Sequence, residues 1–253
     1  MPQTPRSTAA MVDIGQIPAL LVSDPAGAMV LLRERAHAGE PHCQLLLGQL
    51  LVNGVGGLRD PGQALRWFRA AACAQVPMAM NMMGRCHEYG LGTPVDYAQA
   101  ARWYYRAATF ECDWAIYNYA QLLLHGRGVE RDRAAAFCWF SLAASRGHAR
   151  AMHFLGQFHE NGWETPVDRR AAFAWYRRSA EGGDFRGQCS HASVLAEQGR
   201  IEETIQWLQR AVITATPAYL AHLVTVLRNS PHAVLRELAE NIAPAPVPEP
   251  AAP

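Results

Sequence analysis

The tryptophans of this chain fall on a fixed ruler. Trp67, Trp103, Trp139 and Trp175 are spaced 36 residues apart, and three further series keep the same step. These are Asp60, Asp96, Asp132 and Asp168; Gly54, Gly90, Gly126 and Gly162; and Ala64, Ala100, Ala136 and Ala172. An aromatic residue follows each of those tryptophans: Phe68, Tyr104, Phe140 and Tyr176. A shared period between about 20 and 50 residues marks a stack of supersecondary units around one continuous core. The expected fold is all-α, an α-solenoid of antiparallel helix pairs with a 36-residue repeat.

Each step divides into two helices. The first ends at glycine, as at Gly90 in HEYG, and a loop such as LGTPV follows, with Gly92 and Pro94 unfavourable inside a helix. Aspartate opens the second helix, where its carboxylate accepts backbone N–H groups at the positive end of the dipole. From Asp96 onward, Ala100, Trp103, Tyr104, Ala107 and Ala108 recur at helical spacing and form a packing stripe. The four tryptophans are assigned to the core. Gly48, Gly84 and Gly156 are read as sites of close helix approach, with Ala120 in that place in the third unit.

The period also orders the rest of the chain. Residues 1–23, with Pro2, Pro5 and Pro18, form a flexible start with a brief packed segment from Ile14 to Val22. Residues 24–40 match the second half of a repeat and cover the first full unit. Four full repeats occupy 41–184, and a shortened fifth spans 185–216. Residues 217–242 supply two apolar capping helices, through Leu220, Leu223, Leu227, Leu235 and Leu238. The proline-rich stretch 243–253 is expected to be a disordered tail.

Composition narrows the function. The net charge is +1, and all basic residues are arginine, so clustered charge for many phosphates is absent and no nucleic-acid partner is expected. No signal-peptide pattern or membrane span is read from the chain, so a cytoplasmic location with no membrane partner is expected. Six cysteines form no C-x-x-C pair and are read as reduced thiols, with a Cys43–Cys73 link the one conceivable bridge. No zinc-type spacing is present, and neither metal nor cofactor is expected.

The units MGRCHEYGLGTPVDYAQAARWYYRAA and LGQFHENGWETPVDRRAAFAWYRRSA resemble the Sel-one-like repeat, a branch of the tetratricopeptide superfamily. The likeness is strong over 41–184 and weak over 24–39 and 185–216. It departs at the first-helix tyrosine, replaced by Leu51, His87, Leu123 and His159, and at Glu164, which stands where Gly56, Gly92 and Gly128 do elsewhere. The resemblance implies a right-handed superhelix and a family that mostly scaffolds protein assemblies.

Catalysis has no constellation to rest on. His87–Glu88 and His159–Glu160 are chain neighbours on different sides of a helix, and no nucleophile elbow, P-loop or dinucleotide fingerprint occurs. The chain is read as a non-enzymatic scaffold that holds a partner protein or peptide in a concave groove lined by first helices. Superfamily geometry assigns that face to His42, Gln49 and Asn53 in the first repeat. The second supplies Asn81, Arg85, Glu88 and Tyr89, and the third Trp114, Tyr117, Gln121 and His125. The fourth gives Arg150, His153, Gln157, Glu160 and Asn161, and the fifth Arg186. Aromatic, arginine and amide side chains suit such a surface. The other readings are a structural or self-assembling role, as a monomer or weak homodimer pairing through the carboxy-terminal helices, and, more remotely, an enzyme.

Overall fold

A computed structural model describes residues 17–55 and 59–242. Residues 1–16, Gly56 and the 243–253 tail lie outside the described residues, so the readings of a flexible start and a disordered tail are not addressed there. The described residues are helical and contain no strand. In chain order the helices are α1 (Ile17–Ser23), α2 (Pro25–His37), α3 (Pro41–Asn53), α4 (Pro61–Cys73), α5 (Pro77–Tyr89), α6 (Tyr97–Thr109) and α7 (Asp113–His125). They continue as α8 (Arg133–Ser145), α9 (Ala149–Asn161), α10 (Arg169–Glu181), α11 (Phe185–Glu197), α12 (Ile201–Thr214), α13 (Pro217–Arg228) and α14 (Ala233–Ile242). The chain forms two compact units, Met1–Asp132 and Arg133–Pro253.

Local chemistry fixes the helix ends where the sequence places them. Asp24, Asp60, Asp96 and Asp168 accept the backbone N–H of Gly27, Gln63, Gln99 and Ala171 at 2.8–3.0 Å. Gly54, Gly90, Gly126 and Gly162 close the first helices in the left-handed conformation, with φ between 67° and 73°, where a Cβ is unfavourable. The N–H of Asp60, Asp96, Asp132 and Asp168 donates to the carbonyl of Leu51, His87, Leu123 and His159 at 2.8–3.1 Å. In the first, second and fourth repeats that contact ties the start of the second helix to the first without needing the family's tyrosine.

In the first unit α3 packs on α4 and α5 on α6, while α2–α3, α4–α5 and α6–α7 join successive pairs. In the second unit α9–α10 and α11–α12 are the pairs, joined through α8–α9 and α10–α11. The glycine reading holds at Gly84, where a Cβ would stand 2.5 Å from the Tyr104 ring; Gly48 and Gly156 meet Phe68 and Tyr176 in the same way.

The core assignment of the tryptophans needs correction. Trp67, Trp103, Trp139 and Trp175 are only partly buried. The fully enclosed aromatics are their successors Phe68, Tyr104, Phe140 and Tyr176, with at most 2% exposure. The successor points down at the first-helix glycine, and one residue back along a helix turns the indole about 100° away from that contact. Cys43 and Cys73 are both free, the first buried and the second exposed, so the two thiols face different surroundings.

The second unit ends in a core of its own. Leu223, Leu227 and Leu235 of α13 and α14 are buried with Phe185, Leu208 and Ala211 of α11 and α12. Among the described residues no helix is long and apolar enough to cross a membrane.

Candidate functional site

The residues chosen for the first-helix face separate into three registers. The register of Asn81, Tyr117 and His153 is buried, at 3%, 9% and 6% exposure. The Asn118 amide donates to the Asn81 carbonyl oxygen at 2.9 Å, from α7 to α5. His153 lies 3.5 Å from the Ser190 hydroxyl, from α9 to α11, and 5.6 Å ring to ring from Tyr176. Within each unit, neighbouring first helices therefore meet through this register, α5 with α7 and α9 with α11. The placing of Asn81 on the open concave face is corrected: its side chain is buried and spent on the next helix.

The register of Glu88 and Glu160 joins the two helices of a repeat. The Tyr104 hydroxyl donates to Glu88 at 2.6 Å, and the Tyr176 hydroxyl donates to Glu160 at the same distance. Burial, then the adjacent carboxylate, pushes both phenols well above the usual tyrosine range. Glu88 is thus already engaged on one oxygen.

The third register stays on the surface. Arg85, Tyr89 and His125 are exposed and Gln121 is partly exposed in the first unit. Arg85 and Tyr89 line a cavity of about 460 Å³ with Val52, Asn53, Arg59 and Leu91. Arg59 is held there by its Nε, which donates to the Val52 carbonyl at 2.9 Å. The Tyr89 phenol is raised by partial burial and by Glu88, with Arg85 and Arg127 opposing. His125 is lowered by burial and then by Arg127 and Arg131. Arg59, Arg85, Arg127 and Arg131 therefore make this face basic around one exposed phenol. The Gln121 amide nitrogen is buried and donates to nothing among the described residues.

In the second unit Gln157 and Asn161 are on the corresponding stripe, and the Asn161 amide donates to the Gln157 carbonyl at 2.8 Å. At the start of the first helices, Trp114 is 42% exposed. Arg150 Nε is 3.9 Å from the buried Asp184 carboxylate, and Arg186 lies over the Phe185 ring at 4.5 Å. Sequence reasoning missed Arg59, Asn118 and Ser190. Arg59 was legible in the Arg-Asp pair that returns at Arg131-Asp132, whose Nε donates to the Leu124 carbonyl at 3.1 Å.

Nothing in these surroundings resembles an activated nucleophile. Burial raises the thiols of Cys43, Cys86 and Cys189 to about 11, which keeps them protonated at neutral pH. Among the described residues no three His, Cys, Asp or Glu side chains converge as metal ligands.

The Sel1 repeat model matches residues 41–76, 77–109, 115–148 and 149–184. The structure is similar to that of a Sel1 repeat protein from Oxalobacter formigenes, with a TM-score of 0.75 at 22% identity, covering 91% of this chain and 100% of that one. It is similar to c5321, described as a protective antigen of uropathogenic Escherichia coli with an SLR fold, with a TM-score of 0.65 at 26% identity. That match covers 85% of this chain and 48% of c5321. The immunity protein Pa5087 from Pseudomonas aeruginosa shares the fold at a TM-score of 0.57 and 14% identity, with 80% of each chain covered. No curated protein matches the chain significantly.

Proposed function

This chain belongs to the Sel1 repeat family, whose members are generally non-catalytic protein-interaction scaffolds, and from that premise we propose that it captures a protein segment on its first-helix face. The cavity at Arg85 and Tyr89 carries the reading. It combines an exposed phenol, two guanidinium groups and the Asn53 amide, which supply apolar area and directional donors together. The surplus of arginine favours a segment with carboxylates, since guanidinium pairs them in a two-pronged geometry. The stripe Gln121–His125 continues the same face along α7.

The self-assembly reading loses its main support, because Leu223, Leu227 and Leu235 are buried within the chain's own core. The test is affinity capture from lysate of the source cells with the intact chain and with Arg85→Ala/Tyr89→Ala. Both side chains are exposed, so the variant should melt within about 2 °C of the wild type. Loss of the captured protein from that folded variant is the expected result, and undiminished capture would reject the face. Tyr117→Ala is unsuitable here, because that side chain is buried.

A further inference from the structure

The second helices carry a repeated pair that fails at two tryptophans: Trp139 is followed three residues later by the bulky Leu142, and Trp67 by a residue that leaves space. Trp103, Trp175 and Trp207 each have an arginine three residues later, and the guanidinium carbons of Arg106, Arg178 and Arg210 lie 5.7, 4.5 and 4.6 Å from the ring centres. Three residues is close to one helical turn, so the two side chains share a face, and the cation rests against the electron-rich ring. After Trp67 the corresponding residue is Ala70, too short to supply a cation. A cavity of about 480 Å³ lies there, between the second helices α2 and α4 and above Leu47 of α3.

The walls of this cavity have one chemical character. Arg33 from α2 and Arg66 from α4 are exposed and bring two guanidinium groups, Gln63 adds an amide, and among the described residues no acidic side chain lines the space. His37 stands edge-on to Trp67, ring centres 5.0 Å apart. The Trp67 indole nitrogen is buried and donates to nothing among the described residues. An indole N–H can only donate, so a ligand oxygen would satisfy a group that the described residues leave unmet, and leaving it unmade is costly. The remaining surface, from Trp67, Ala70 and Leu47, is apolar, and a bare inorganic anion would leave it unfilled. The volume is that of a small-ligand site.

We infer that this cavity binds a carboxylate carried on an aromatic body, the acid meeting Arg33, Arg66 and the indole N–H while the ring fills the space that arginine takes beside Trp103, Trp175 and Trp207. Two sources share this chemistry: a free aromatic acid and the carboxyl end of a peptide finishing in an aromatic residue. The site is on the second helices and uses no residue of the Arg85 face.

The experiment follows the Trp67 indole N–H of the full chain by ¹⁵N NMR, assigned through its loss in Trp67→Phe. The probes are 3-phenylpropionate, its neutral amide, and the peptide Ala-Ala-Ala-Phe with a free or an amidated carboxyl. Saturable shifts with a Kd below about 1 mM are expected for at least one free acid, with the matching amide weaker by about tenfold or more. A response to phenylpropionate alone assigns a small-acid source, and a response to the free peptide assigns a chain end. Ala70→Arg, which installs the arginine that follows Trp103, Trp175 and Trp207, should abolish the shift. Arg33→Ala/Arg66→Ala should weaken binding about tenfold or more, and Arg85→Ala should leave it unchanged. Absence of any shift up to about 10 mM probe, equal binding of the amides, or unchanged binding in Ala70→Arg would overturn the inference without touching the Arg85 face.

Discussion

Tyr104 and Trp103 are adjacent, and their different depths set different costs of removal. Tyr104 is fully enclosed against Gly84 and bonded to Glu88, whereas Trp103 keeps an exposed edge under Arg106. Tyr104→Ala should cost about 3–5 kcal/mol and Trp103→Ala about 1–2 kcal/mol, measured by urea denaturation. Equal costs would return the tryptophans to the core. His153 gives a second prediction. Burial lowers its pKa from 6.5 to about 4, against Asp184 and with Arg186, so the folded state holds it neutral. The unfolded chain takes up that proton near pH 6.5, so the contribution is complete above that pH and is lost as the pH falls toward 4. The full loss is about 3 kcal/mol. His153→Asn should flatten the stability curve between those values, and an unchanged slope would place the acid sensitivity elsewhere. At this scale the sequence showed which residue types line the first helices, but it did not separate the buried register of Asn81, Tyr117 and His153 from the exposed one of Arg85 and Tyr89. Both are polar or aromatic and one turn apart; what divides them is the next helix, which is a tertiary fact.

The helix pair was the most legible level, because its signals are local. Aspartate caps, left-handed glycines and prolines each act within a few residues, and the structure uses them as read. Less visible was an alternation laid over the 36-residue step. Repeats with His87-Glu88 and His159-Glu160 carry tyrosine in the core, at Tyr104 and Tyr176, and valine before the capping aspartate, at Val95 and Val167. Repeats with Leu51-Val52 and Leu123-Leu124 carry Phe68 and Phe140, with Arg59 and Arg131 before the aspartate. One type closes its hairpin by a tyrosine–glutamate bond, the other by an arginine to a backbone carbonyl. This places arginine and exposed tyrosine side by side where the two types adjoin, at Arg59 and Tyr89. Both types use a first-helix glycine, at Gly48 in one and at Gly84 and Gly156 in the other, with Ala120 in that place in the third repeat. Gly84→Ala puts a Cβ 2.5 Å from a ring that burial and Glu88 hold in place. The added methyl should cost about 2 kcal/mol in spite of alanine's better helix propensity, read as a fall in the urea midpoint. A neutral or stabilising effect would show that the pair can separate freely.

For the whole molecule, the fold class follows from the period alone, since units that each expose an apolar side must stack. Function does not follow in the same way. The family and the all-helical architecture support a scaffold, while the partner is recognised by a surface whose composition is set by the repeat type and by which residues the neighbouring helices leave uncovered. The central claim is that the first-helix face around Arg85 and Tyr89 captures a protein segment. The most direct measurement is photo-crosslinking in source-cell lysate, with p-benzoylphenylalanine placed at Tyr89 or, as a control, at the exposed Arg102 of α6. A discrete crosslinked protein is expected from position 89 and absent from position 102. The same adduct from both positions, or from position 102 alone, would contradict the claim.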